Sequence, residues 1–237
     1  MRRNYKYIFL DLDDTVWDFH ANAKEALRDV FFAEKLNDHF DHFENFYQDY
    51  TRRNIELWTQ YGQGLITKDY LIVERFLHLL KRIGMDDEKL ALKMNRDFLD
   101  TLSEKTILVP FAIELMEFCK SQNLPLTILS NGFTEVQYRK LCSSKIEDYF
   151  SHVVLSEAAG ALKPDPAIFK HALDLNGATS EETLMIGDSF EADIVGAVNA
   201  GIDALFLNHS TKKYEIPEGV VEIKSLKEAV DFLKTSN

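Results

Sequence analysis

The chain has 237 residues, 46% of them apolar, a formal charge of -12 and no run of five or six basic residues. This composition supports a packed core and excludes wholesale disorder. The charge argues against a nucleic-acid polymer or an anionic membrane as the main partner, but leaves a small anionic substrate open, because a metal ion and one lysine reverse the local field. Cys119 and Cys142 are the only cysteines and have no C-x-x-C spacing, so they read as unpaired thiols of a reducing compartment. No stretch approaches the roughly 18 apolar residues of a membrane span, and the apolar run behind the basic N-terminus is too short for a signal sequence. A soluble, cytoplasmic protein is expected.

Residues 5–10 are a compact apolar run that ends at acidic residues, the pattern of a buried strand with polar groups at its carboxyl end. From Phe19 the apolar residues Ala23, Ala26, Leu27, Val30 and Phe31 follow a helical period. The period resumes over Phe43, Phe46, Tyr47, Tyr50, Leu57, Trp58 and Tyr61 and stops at Gly62 and Gly64. Thr67 is suited to cap a third helix that ends near Gly84, and 87–103 reads as a fourth. The stretch 16–105 therefore holds helix and no strand.

After Pro110 the rhythm alternates. Helices are expected at 112–121, 135–143, 166–176 and 191–200, and strands at 125–129, 152–155, 183–186, 204–207 and 220–223. Ser225-Leu226-Lys227-Glu228 has the form of a capping box opening a last helix. Strands alternating with helices imply right-handed crossovers and a parallel sheet. The predicted architecture is a doubly wound α/β core, 1–15 and 106–237, interrupted by a helical domain, 16–105. In such sheets ligands sit outside the carboxyl ends of the strands.

Four polar signatures fall at those ends. Asp11-Leu12-Asp13-Asp14-Thr15 directly extends the first strand, where an unpartnered carboxylate is costly to bury. The acids lack the glycine and further oxygen ligands of a calcium loop. Ser130-Asn131-Gly132 is a hairpin signal on its own, but a helical pattern follows it, and a hydroxyl with backbone N–H groups at a strand-to-helix turn suits a phosphate. Lys163-Pro164-Asp165-Pro166 holds a lysine at a helix entry, with Pro166 suited to the first turn. Gly187-Asp188-Ser189-Phe190-Glu191-Ala192-Asp193 sets Asp188 and Asp193 across a loop-to-helix junction, able to point at one centre. Together these groups suit Mg²⁺-assisted phosphoryl transfer: oxygen ligands for a hard cation, a lysine to balance phosphoryl charge, and a carboxylate to attack phosphorus.

This ordered series of D-x-D, Ser, Lys and G-D-x-x-x-x-D resembles the haloacid dehalogenase superfamily, from the first strand to at least Asn208. The insertion after D-x-D looks like that family's helical cap, which would close over the site and exclude water. The segment 58–67, with Trp58, Tyr61 and Thr67, and Asn131-Gly132-Phe133-Thr134 are similar to the pyrimidine 5′-nucleotidase branch. The resemblance implies roles residue by residue. Asp11 would be the nucleophile that becomes an aspartyl phosphate, and Asp13 the acid and then the base. Asp11, the Asp13 carbonyl and Asp188 would hold Mg²⁺. Ser130, Asn131 and Gly132 would hold phosphate oxygens, Lys163 would neutralise Asp11 and phosphate, and Asp193 would orient Lys163 or a metal-bound water. Many relatives have glycine where Asp14 stands, so a role for its side chain is left open.

Trp58 and Tyr61 read as contacts to a nucleobase or as core of the cap, and Phe133, nearer the phosphate turn, as a substrate wall. His39 and His42 read as neighbours on a helix face without a third metal ligand. The partner implied is a small phosphomonoester. A sugar-phosphate or phosphoglycolate phosphatase or a phosphomutase would use the same core residues. A 2-haloacid dehalogenase would lack the second acid of D-x-D, which is present as Asp13. A non-catalytic binding protein on this fold would have lost one of Asp11, Asp13, Lys163 or Asp188.

Overall fold

The computed structural model describes residues 4–236 and forms two compact units, 1–19 with 106–237, and 20–105. The sheet domain begins with β1 (Tyr7–Leu10), every residue of which after Tyr7 is buried. Residues 16–19, expected to open the helical insertion, stay with the sheet domain. The reason is backbone pairing: Val109 N–H donates to the Val16 carbonyl at 2.9 Å, and Asp18 N–H to the Ile107 carbonyl at 3.1 Å.

The helical unit is built from α1 (Phe19–Ala33), whose first residue belongs to the sheet domain, α2 (Phe43–Gly62), α3 (Lys68–Arg82) and α4 (Glu88–Leu102). Its apolar stripes meet in a core that includes Phe31, Phe46, Tyr50, Leu57, Leu71, Phe76, Met94 and Phe98. Thr67 caps α3 as expected, its side chain accepting from the Tyr70 N–H, and Asp87 does the same for α4 through Leu90. Gly84, just beyond α3, has φ 79, the left-handed backbone that glycine adopts freely. Arg75 is buried in this core, where Asn95 Oδ1 accepts its Nε–H at 2.8 Å and its guanidinium lies 5.3 Å from the Phe98 ring. Trp58 and Tyr61 are half-buried and pack edge to face at 5.7 Å. His39 and His42 do not share a helix face. Both are exposed, His39 ending a 3₁₀ turn at Leu36–Asp38 and His42 preceding α2, because the chain breaks between α1 and α2.

The rest of the sheet domain runs α5 (Ala112–Ser121), β2 (Leu126–Ser130), α6 (Thr134–Ser143), β3 (Phe150–Leu155), α7 (Ser156–Ala159), α8 (Pro166–Asn176), β4 (Thr183–Gly187), α9 (Gly196–Asn199), β5 (Asp203–Leu207), β6 (Val220–Ile223) and α10 (Leu226–Ser236). The six strands are parallel, in the order β3-β2-β1-β4-β5-β6. Side chains alternate between faces with the two-residue strand period. Phe9, Met185, Ala204 and Phe206 join Ile168, Phe169 and Ala172 of α8 in one buried cluster. Their neighbours in sequence, Ile8, Leu10, Leu184, Ile186, Leu205 and Leu207, are equally buried, so both faces of the sheet are covered. The order reverses at β1 and β4, and the register sets Leu10 beside Ile128 on one side and Ile186 on the other. The carboxyl ends of β1, β2 and β4 therefore lie side by side, the usual ligand position in such sheets.

Two local expectations change. The helix expected at 191–200 is a π turn at Phe190–Val195 followed by the short α9. Ser189 heads that turn, its carbonyl accepting from the Asp193 N–H at 2.9 Å with α-helical spacing and from the Ile194 N–H at 3.3 Å with the wider π spacing. At the last helix the capping box is altered. Glu228 accepts from the Lys224 N–H at 3.2 Å, while the Ser225 hydroxyl contacts the Glu228 carboxylate at 3.3 Å instead of capping a backbone amide. Among the described residues, no helix is long and apolar enough to cross a membrane.

Candidate active site

Asp11 continues β1 by one residue, its N–H still donating to the Ile186 carbonyl at 3.0 Å, so the strand ladder itself fixes the carboxylate at the sheet edge. Asp11 is buried, and Lys163 Nζ donates to its Oδ1 at 2.6 Å. The same ammonium donates to Asp193 Oδ1 at 2.6 Å. Lys163 and Asp193 are themselves buried, and a charged trio without water is tolerated only because each member is paired.

The chain works to hold these three groups. Asn131 clamps the Lys163 backbone from two sides: Lys163 N–H donates to Asn131 Oδ1 at 2.7 Å, and Asn131 Nδ2 donates to the Lys163 carbonyl at 2.9 Å. The Lys163–Pro164 peptide is cis. The π turn brings Asp193 back over the end of β4, where its Oδ2 accepts from the Ser189 N–H at 3.0 Å. Gly187 makes the fit possible, since a Cβ there would stand 2.3 Å from Asp193 Oδ2.

Asp188 follows directly. One carboxylate oxygen each from Asp11, Asp188 and Asp193 lie within 4.8 Å of one another. Burial, and then the Asp11 and Asp193 carboxylates, hold Asp188 well above the usual carboxylate range. Burial also pushes Asp11 up to about 7, with Lys163 opposing the rise and Asp193 adding to it. For Lys163, burial pulls downward, but Asp11 and Asp193 outweigh it and hold the ammonium above its ordinary value. Three carboxylates face one ammonium, so the cluster carries an excess of negative charge that a hard divalent cation would offset. Asp193 already accepts from Lys163 and Ser189 through its two oxygens. Asp11 and Asp188 are thus the carboxylates with capacity for a metal, and an all-oxygen set of this kind fits Mg²⁺.

Ser130 ends β2 and is buried. Its Oγ accepts from the Gly132 N–H at 3.1 Å and from Gln137 Nε2 at 2.7 Å, which leaves the hydroxyl proton to donate. Phe133, 7% exposed, is the residue before α6. Asp14 adopts φ 59, a left-handed backbone that aspartate tolerates. Its carbonyl lies 2.7 Å from His209 Nε2.

Asp13 holds a surprise. Lys140 Nζ donates to its Oδ1 at 2.6 Å, and Gln137 Nε2 to its Oδ2 at 2.8 Å. Both partners are buried on α6 and neither was singled out from the sequence. The available signal was weak: two polar residues at i and i+3 just after the Asn-Gly turn, a spacing shared by any solvated helix face.

The chain matches the haloacid dehalogenase-like hydrolase family over residues 5–201. It is 32% identical over 217 residues to the pyrimidine 5′-nucleotidase YjjG of Escherichia coli strain K12, covering 91% of each chain. It is 30% identical over 231 residues to the pyrimidine 5′-nucleotidase PynA of Streptococcus pneumoniae, covering 97% of this chain and 95% of that protein. A crystal structure of the HAD-hydrolase YfnB from Bacillus subtilis, bound to magnesium, superposes with a TM-score of 0.87 at 30% identity, covering 98% of this chain and 100% of that one. The acids at the ends of β1 and β4, the lysine between them and the full-length match agree: the chain is a member of the haloacid dehalogenase-like hydrolases.

Proposed function

We propose that this hydrolase is a Mg²⁺-dependent phosphomonoesterase that works through an aspartyl phosphate on Asp11 and prefers pyrimidine nucleoside 5′-monophosphates. The observation that carries the reading is the buried Asp11–Lys163–Asp193 array beside Asp188, at the junction where the strand order reverses. The Asp11 carboxylate, steadied by Lys163 at Oδ1, is the group that attacks phosphorus. The new O–P bond forms as the ester O–P bond breaks, and Asp13 gives its proton to the departing nucleoside oxygen. Asp13 then takes a proton from the water that attacks the acyl phosphate, releasing inorganic phosphate and restoring Asp11. Ser130 donates its hydroxyl proton to a phosphoryl oxygen, the Asn131 and Gly132 turn lies against the same group, and Lys163 balances its charge. Asp11, Asp188 and the Asp13 carbonyl would hold Mg²⁺, which when bound neutralises phosphoryl charge.

Substrate choice draws its support from the likeness to two pyrimidine 5′-nucleotidases. A base stacked on an accessible aromatic face gains about 1–3 kcal/mol, or roughly tenfold to hundredfold over a phosphate ester with no ring face, although Phe133, named from the sequence as such a wall, is buried in this structure. Phosphate release measured with Mg²⁺ should give kcat/KM values for dUMP, UMP and dTMP above those for glucose 6-phosphate and AMP. A flat ranking, or sugar phosphates first, would make this a general phosphatase. Separately, Asp11→Asn should abolish turnover with the fold retained by circular dichroism, and substantial activity in that variant would remove the covalent route.

A further inference from the structure

Asp13 is held by two donors from a single helix, and one of them is a buried cation. The Lys140 side chain is 3% exposed. Its ammonium lies 4.5 Å from the Trp17 ring centroid and 5.5 Å from that of Phe19. Two aromatic faces and one carboxylate thus surround a charge taken out of water, an arrangement that fixes a long, flexible side chain in one position. Trp17 is itself anchored, its Nε1 donating to Ser144 Oγ at 3.2 Å one turn beyond Lys140. Gln137 meets the second oxygen of Asp13 and, through Ser130 Oγ, ties it to the phosphate turn. Gly132 carries no Cβ because one would stand 2.3 Å from Gln137 Nε2. A general acid must stand within hydrogen-bond reach of one departing oxygen, and a half-exposed aspartate on a loop has several rotamers to choose among.

We propose that Lys140, assisted by Gln137, is a positioning residue that fixes the Asp13 carboxylate for proton transfer to the leaving group. This rests on the acid–base reading of Asp13 given above. The function of α6 is then twofold, since its first residues border the phosphate turn while its interior polar face sets the acid.

The test uses the full chain with Mg²⁺ and two aryl esters, p-nitrophenyl phosphate and phenyl phosphate, whose leaving groups differ in their need for a proton. Lys140→Met should lower kcat on phenyl phosphate by roughly 10- to 100-fold, the scale of a misplaced reacting group, with a smaller loss on p-nitrophenyl phosphate and KM little changed. Lys140→Arg should recover most of that loss, because a guanidinium supplies a cation to the same carboxylate. In an Asp13→Asn background, Lys140→Met should add no more than about twofold, since its target is gone. Equal losses on both esters, or a full additional loss on top of Asp13→Asn, would overturn the proposal. Should Lys140→Met fail to fold, Lys140→Gln, which keeps a donor without the charge, is read by the same criteria. If Asp13→Asn alone shows no dependence on the leaving group, it is the role of Asp13 that fails, a result distinct from additivity at Lys140.

Discussion

At the scale of single residues, the site is held together by charges that would repel one another if left alone. Asp188 illustrates the sign. Burial and two neighbouring carboxylates raise its pKa in the fold, so the metal-free native state binds a proton more readily than the unfolded chain does. Stability from this group therefore falls as pH rises out of the ordinary carboxylate range. Asp188→Asn should stabilise the metal-free protein at neutral pH, by something on the order of 0.5–2 kcal/mol, with the advantage shrinking in acid. A loss of stability at pH 7 in thermal unfolding would contradict this. Gly132→Ala tests the opposite kind of constraint. Its Cβ would sit 2.3 Å from Gln137 Nε2 and 2.5 Å from Gln137 Cδ, so Gln137 must leave Asp13 and Ser130 or the turn must shift. The expected result is about 1–3 kcal/mol of destabilisation by overpacking, together with reduced kcat on phenyl phosphate.

At the scale of elements, short irregular pieces carry the site and long regular ones support it. The π turn at Phe190–Val195 is the clearest instance. It carries Asp193 to the end of β4, where the carboxylate meets both Lys163 and Ser189. In the helical unit the regular elements depend on their caps. Thr67→Ala removes the acceptor for the Tyr70 N–H and should destabilise α3 by roughly 0.5–2 kcal/mol. Hydrogen exchange should show the first turn of α3 opening more readily, with the sheet domain unaffected. Unchanged protection there would mean that the cap contributes nothing.

At the scale of the whole molecule, topology brings chemistry together from distant parts of the chain. Asp11 and Lys163 lie 152 residues apart in sequence and 2.6 Å apart in space. A ligand that binds only the assembled site must stabilise the fold. Mg²⁺ at a hundredfold excess over its Kd should stabilise by about 2.7 kcal/mol, a rise in Tm of roughly 5–10 °C for a chain of this size. Asp188→Asn should abolish that rise, although the same change raises the metal-free Tm. No response to Mg²⁺ in wild type, measured without substrate, would count against a metal at these carboxylates.

The sequence by itself determined what local pattern can encode. Strand runs, helical periods, the Thr67 cap and the acids at strand ends are properties of neighbouring residues, and α5, α8 and β6 begin and end where the spacing sets them. The places of Asp11, Lys163 and Asp193 beside strand and helix signals were legible locally, whereas their roles were framed by the family resemblance that the ordered motifs carry. What only the tertiary structure decided are the features that depend on which distant surfaces meet. The π turn carries Asp193 to Lys163 and the Ser189 amide, and no 3.6-residue pattern contains it. Residues 16–19 stay with the sheet because Val16 and Trp17 pair with 108–109, nearly a hundred positions on. Gln137 and Lys140 sit on α6 like any polar pair on a solvated helix, and only folding turns that face inward onto Asp13. Periodicity tells that a helix has faces; burial against a partner from elsewhere in the chain decides what each face does.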